Sequence, residues 1–406
     1  MYESAGLAGL FDDRSRKGAM NAIPGSEFTE RQLRAQQRVA EAGLDAVIVH
    51  SNEADFANVR YLSNYWPAFE SAGAIIPAEG KPILLIGPES ETYALDRSRI
   101  EAVRKVLWYR ESAEPDYPDI AISTFAEVFA EACGGRPVRR LGIVGRAIFP
   151  VVIYEEIRKA LPGVEMVGAD ETISDMRIIK SPNEIALLKE GFRISQIAVD
   201  ECLARMEPGM TELEVVGLAL GSLYSHGAEY EAHPQYVMGG TNTNHAISRA
   251  TYRPLAQGEM IQLNLGARVG GYSPSVGRPC CFGRMPGEMR RLVQVGLEAH
   301  LKTMEFMRAG VLAKEVVASF EEFVKSKGCS ENLLYGPCHG IGMMEVERPW
   351  MESTSDYLLQ ENMTFQVDTF LHTDSYGLRW EDGVRITADG VEQLSNCRQE
   401  VLELPL

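Results

Sequence analysis

The sequence predicts two domains in tandem, an α/β domain over residues 1–178 followed by an α+β domain over residues 183–406. Three observations predict it. Strand-like apolar runs alternate with helical segments in the first part. Where that part ends, Ser181 offers an N-cap, Pro182 suits the first helical turn, and Glu184 completes a capping box. Beyond it, segments 207–215 and 308–316 each follow a long helix and open a shorter one, as two pseudo-symmetric halves would.

Residues 1–28 read as an irregular arm. Thr29 with Gln32 reads as a capping box opening a helix that ends near Gly43. The run Asp45 to His50 reads as a buried strand. Further strands are expected at 73–76 and 82–86, split by a turn at Ala78, Glu79 and Gly80, and at 141–144. Residues 151–161 read as a helix stopped by Pro162 and Gly163. After Ser181, the spacing of Ile185, Leu188, Phe192 and Ile197 predicts a long helix ending before Pro208.

The formal net charge is −17, and no long basic run interrupts it. Such a surface repels nucleic acid and anionic lipid, so neither is an expected partner. No apolar run approaches the roughly 20 residues that span a bilayer. Asp12, Asp13, Arg14, Arg16 and Lys17 do not read as a signal peptide. The seven cysteines form no Cys-x-x-Cys pair, so a reducing cytoplasm is expected.

Several segments, in order, resemble the creatinase, prolidase and aminopeptidase P superfamily. They are Arg177-x-x-Lys180-Ser181-x-x-Glu184, Asn242 to His245, 261–266 with 271–278, His339 to Gly342, Met363 to Asp368, and Leu378 to Asp382. Arg60 to Ser63 agrees with that superfamily's N-terminal domain. The resemblance spans residues 28–400 and implies a pita-bread catalytic domain over 183–406 and a homodimer. It further implies that the N-terminal domain of one subunit closes the other's site.

Metal-bearing members of this family use Asp, Asp, His, Glu and Glu as ligands. By the resemblance, those positions here are Asn264, Ser275, His339, Asp368 and Glu381. A neutral amide and a hydroxyl do not bridge two divalent cations as carboxylates do, so no bound metal pair and no cofactor are expected, with a single weakly held metal on His339, Asp368 and Glu381 as the alternative. Glu347 stands where a substrate-side histidine is usual, within Glu345-Val346-Glu347-Arg348-Pro349. The resemblance implies His245, His339, Asp368 and Glu381 as catalytic, with His245 as base or shuttle. Asn264, Ser275, Glu347, Trp66, Phe69 and Glu70 are the expected substrate-binding residues.

The function expected on these grounds is metal-independent, creatinase-like hydrolysis of a C–N bond in a small molecule of amidine, guanidino or cyclic amide type. Bare carboxylates would favour such a cationic substrate. Two departures stand against creatine itself. Gly277 occupies the position of creatinase's catalytic glutamate, and the stretch Tyr65 to Glu70 supplies no counterpart of its carboxylate-gripping arginine. The alternatives are an Xaa-Pro-type metallopeptidase with an altered metal site and a non-catalytic pseudopeptidase that serves as a binding module.

Overall fold

The computed structural model describes residues 23–406, in two compact units, Ile23–Arg177 and Ile178–Leu406. The expected arm up to Ala22 lies outside the described residues. From Gly25 the chain is already helical, as α1 (Gly25–Glu41). Thr29 therefore does not cap this helix. It sits inside the first turns and its hydroxyl donates back to Gly25 O at 3.3 Å, a local bond that a mid-helix threonine makes in place of a cap.

The first unit is built on six strands. They are β1 (Ala46–Ser51), β2 (Ala72–Pro77), β3 (Ile83–Ile86), β4 (Ala102–Lys105), β5 (Arg140–Val144) and β6 (Glu165–Gly168), in the order β4-β3-β2-β1-β5-β6. The central β1 pairs antiparallel with β2 and parallel with β5. β1, β2 and β3 are buried along their whole length, which is why their sequences read as apolar runs without alternation. Ile48, Ile75 and Leu85 pack with Phe125, Phe129, Ile153 and Ile157 from the covering helices.

The second unit opens with α2 (Pro182–Arg205), and Ser181 with Glu184 forms both bonds of the capping box. α3 (Glu212–Ser225) is capped in the same way by Thr211 and Glu214. α4 (Gly287–Phe306) and α5 (Ala313–Ser326) repeat this helix pair in the second half, with Leu312 in place of a side-chain cap.

The strands of this unit are β7 (Tyr230–Glu231), β8 (Tyr236–Gly239), β9 (Ile261–Arg268), β10 (Ser275–Phe282), β11 (Cys338–Gly340), β12 (Glu347–Met351), β13 (Thr364–His372), β14 (Gly377–Ile386), β15 (Val391–Gln393) and β16 (Leu402–Leu404). They form one sheet with the path β12-β11-β13-β14-β10-β9-β7, to which β8, β15 and β16 attach at the side.

The packing of α2 on this sheet is close. A Cβ on Gly383 of β14 would lie 1.8 Å from Phe192 Cζ. Gly383→Ala is therefore expected to lower stability by about 1–3 kcal/mol, as overpacking does in a filled core. A urea-denaturation midpoint unchanged from wild type would show that Phe192 can move aside.

Candidate active site

The site grows from strand register. Asn264, Gly277, Glu381 and Asp368 are cross-strand partners in a row over β9, β10, β14 and β13. Side chains two residues apart on a strand share a face. Ser275, Gln366 and Arg379 thus stand beside this row, and His339 pairs with Gln366 from β11. Glu381 and Asp382 are neighbours in sequence and point to opposite faces. Glu381 joins the row, while Asp382 meets Arg278 and His300 behind the sheet.

Ser275 is the centre of the polar cluster. Its Oγ lies 2.8 Å from Glu381 Oε1 and 3.1 Å from Glu345 Oε1. Gln366 Nε2 donates to Ser275 O at 2.8 Å and to its Oγ at 2.9 Å. One hydroxyl proton thus faces two carboxylates. Burial, then the charge of Glu345, pushes the Glu381 carboxyl above its ordinary range, against the pull of Arg379 and His339. His339 is buried, stacks on Trp350 with ring centroids 5.7 Å apart, and brings Nε2 to 3.9 Å from Glu345 Oε1.

Asp368 is held differently. Arg379 Nε pairs with its Oδ1 at 3.0 Å, and Tyr335 OH donates to its Oδ2 at 2.7 Å. Arg379 Nη2 also donates to Tyr335 OH at 2.7 Å and to Ala246 O at 2.9 Å. Burial raises Asp368, Arg379 opposes it, and Glu381 adds to the rise. Asp368 therefore anchors an Arg379–Tyr335 brace.

His245 is exposed, on the loop whose next carbonyl, that of Ala246, the same Arg379 holds. Asn264 is only 2% exposed, and its Oδ1 is buried without a hydrogen-bond partner.

Two of the expected substrate-binding residues are otherwise engaged. Glu347 forms a buried ion pair with Lys180 at 2.9 Å, because the chain between Gly342 and β12 folds its carboxylate onto that ammonium. Glu70 accepts from the backbone N–H of Glu89 and Ser90 at 3.1 and 3.2 Å and from the Ser90 hydroxyl, so it caps the helical turn that starts there. In the same N-terminal unit, Trp66 Nε1 donates to Glu53 O and its ring packs on Phe56. Phe69 is 91% exposed with φ +59°.

The sequence reasoning missed Glu345, Gln366, Tyr335 and Arg379 as site residues. The two-residue offset of Gln366 from Asp368, and of Arg379 from Glu381, was the available signal for two of them. Glu345 and Tyr335 lie outside the strands and carried no such signal.

The buried row of carboxylates, an amide and a hydroxyl is the candidate site, and the comparisons place the chain among hydrolases of C–N bonds. The particular family follows from comparison. Residues 186–388 match the sequence profile of Metallopeptidase family M24, and residues 31–179 match that of the Creatinase/Prolidase N-terminal domain. The chain belongs to this creatinase/aminopeptidase P superfamily, with its pita-bread fold.

It is 25% identical over 362 residues to the Xaa-Pro dipeptidase of Pyrococcus horikoshii, covering 88% of this chain and 95% of that one. It is 23% identical over 325 residues to the creatinase of a Bacillus species, covering 78% of this chain and 75% of that one. The crystal structure of the X-Pro aminopeptidase from Thermotoga maritima superposes with a TM-score of 0.80 at 23% identity, covering 92% of this chain and 99% of that one.

These comparisons correct the expected function. The relatives are mostly named as dipeptidases, two of them as Xaa-Pro dipeptidases, and creatinase is one distant relative among them. The expectation of a metal-independent, creatinase-like hydrolase is overturned. It had been drawn from Asn264 and Ser275 at the expected ligand positions, from Glu347 where a histidine is usual and from the carboxylates left bare, and such losses do not by themselves specify a substrate.

The residues present are engaged otherwise than a metal pair requires. Ser275 is already engaged by Gln366 and Glu381, Asp368 is tied to Arg379 and Tyr335, and Asn264 is neutral. This donor set does not fit two bridged divalent cations.

Proposed function

We propose that the chain hydrolyses the C–N bond of a small dipeptide of the Xaa-Pro type, through an altered version of the family's site. The observation that carries this reading is the Glu345–Ser275–Glu381 cluster. Two carboxylates that converge on one hydroxyl on a buried face can divide the roles of acid and base. Glu381 is fully buried, burial pushes its carboxyl above the ordinary range, and it is the partner placed to give a proton to a leaving nitrogen. Glu345, whose side chain is 15% exposed, is the partner placed to accept one from water. His245, exposed beside the Arg379-held carbonyl, exchanges protons between the cluster and solvent. The Arg379–Tyr335–Asp368 brace fixes β13 against β14 beneath the reacting groups.

The test is proline release from a panel of Xaa-Pro dipeptides by the purified full chain, with Xaa-Ala dipeptides as controls. Release confined to the proline series is expected. The binding-module reading draws on Asn264 and Ser275, which remove two carboxylates from the site. Dipeptide binding by calorimetry without any release would favour that reading and overturn hydrolysis.

The same reading takes the protein as a cytoplasmic homodimer. Seven free cysteines, all buried, agree with a reducing compartment, and no described helix is long and apolar enough to cross a membrane. Light scattering should give twice the 44.9 kDa chain mass, and a monomer at micromolar concentration would remove the dimer.

A further inference from the structure

We infer that His339, Glu345 and Glu381 form a site for one divalent transition cation, displaced from the family's pair by the recruitment of Glu345. One ligand atom from each lies within 4.8 Å of the others. Two ligand atoms bound about 2.1 Å from one ion lie at most about 4.2 Å apart, so the 3.9 Å between His339 Nε2 and Glu345 Oε1 already suits a shared cation. His339 Nδ1 lies 3.2 Å from Gly340 O. A proton on Nδ1 donated to that carbonyl leaves the Nε2 lone pair for the metal, the arrangement that orients ligating histidines.

Two observations beyond the cluster point to the same occupant. The first is Asn264. Its Oδ1 has no hydrogen-bond partner, and it lies 2.4 Å from where a Cβ on Gly277 would sit, a point that is 2.8 Å from Glu381 Cβ. The oxygen thus lies across Gly277 from the Glu381 position, in a gap too tight for a Cβ. A buried amide oxygen without a partner is costly, and a cation within its reach relieves it.

The second is the charge count. Glu345 and Glu381 both converge on Ser275, whose hydroxyl carries one proton. Arg379, the guanidinium beside them, is bound to Asp368, Tyr335 and Ala246 O. A divalent ion would pair with the carboxylate charge that converges on Ser275. One imidazole and two carboxylates suit Zn²⁺ or Mn²⁺, and three protein ligands leave a position open, as at catalytic sites.

The site is read without substrate, so its test is independent of the dipeptidase reading. Chelator-treated full chain is titrated with ZnCl₂ and MnCl₂ by calorimetry, and bound metal is counted by elemental analysis. One equivalent per chain is expected. Co²⁺ loaded in its place should give a visible absorption band that reports the ligand set.

Glu345→Gln should weaken binding at least about tenfold and alter the Co²⁺ band, because each ligand lost costs on that order. Asp368→Asn should leave affinity within a few-fold, which separates this site from the family's, where the equivalent carboxylate is a ligand. Thermal shifts on metal addition, each against the variant's own metal-free form, keep the comparison valid if a variant is less stable. Two equivalents bound, an unchanged Co²⁺ band in Glu345→Gln, or no binding at millimolar metal would each overturn the site. Proline release unaffected by loss of metal would overturn the dipeptidase's use of it and leave the site itself standing.

Discussion

Arg278→Ala is expected to cost about 3–5 kcal/mol of folding free energy, the loss seen when one partner of a buried ion pair is removed. Arg278 and Asp382 are both fully buried and paired at 2.7 Å. Asp382 is surrounded on every side. Arg278 Nη2 reaches both of its oxygens, His300 Nε2 lies 3.0 Å away, and Ser395 and Gln399 donate to it. The guanidinium also donates to the carbonyls of Gly277, Glu381, Cys397 and Arg398, and lies over the Trp380 ring.

Removing it strands a carboxylate and four carbonyls in a dry interior, where each lost bond leaves a desolvated group behind. A domain stable by about 5–15 kcal/mol would become marginal, and the C-terminal strand β16, parallel to β10, would be the first contact at risk. Urea denaturation measures the effect, and Arg278→Lys should recover only part of it because an ammonium cannot match the fork.

The same network sets a pH dependence. Burial works to raise Asp382, yet Arg278 and His300 outweigh it and hold the carboxyl far below the usual range. Between its ordinary value near 4 and that depressed value, the unfolded chain binds the proton and the folded chain does not. This group's contribution is thus fully present above about pH 4 and is lost as pH falls below it. Arg278→Ala should therefore lose stability at neutral pH and show a shallower acid limb than wild type. Parallel acid limbs would place the acid sensitivity elsewhere.

Glu381→Gln is expected to lower proline release by about 10²–10⁴-fold, the range for removing a positioned acid or base. The amide keeps the size of the side chain and can still accept from Ser275 Oγ, so the sheet should fold as before. It cannot cycle a proton, and if the loss falls on kcat with KM little changed, the proton role is supported. A loss confined to KM would make Glu381 a binding group. His245→Ala is the companion variant. A shuttle role predicts a loss that exogenous imidazole partly restores, and full activity without imidazole would remove that role from the exposed histidine.

Much of the fold was legible because it rests on local chemistry. Ser181, Pro182 and Glu184 mark the start of α2 through bonds among residues three apart. The apolar runs at 46–51, 72–77 and 83–86 are unbroken because both faces of the first sheet are covered. Where a local signal had a rival, it misled. Thr29 and Gln32 match a capping box, but Pro24 and the favourable first turn behind it let the helix begin earlier, and Gln32 is used instead to bond Leu62 O and Arg99 O.

The site divides in the same way. The sequence by itself carried the motif order and spacing from which Asn264 and Ser275 were expected at two of the family's positions, because both are properties of the chain. It also determined that Glu381 and Asp382 must face opposite ways, since a strand's period is two. Only the tertiary structure decided what those residues touch. It turned Glu347 to Lys180 and Glu70 to a helix start, and it gave Asp368 to Arg379 and Tyr335. It brought Glu345, from the turn before β12, against Ser275 of β10, 70 residues away. Such partners are chosen by long-range register and by the demand that every buried charge be matched, and neither is written in any single segment of the chain.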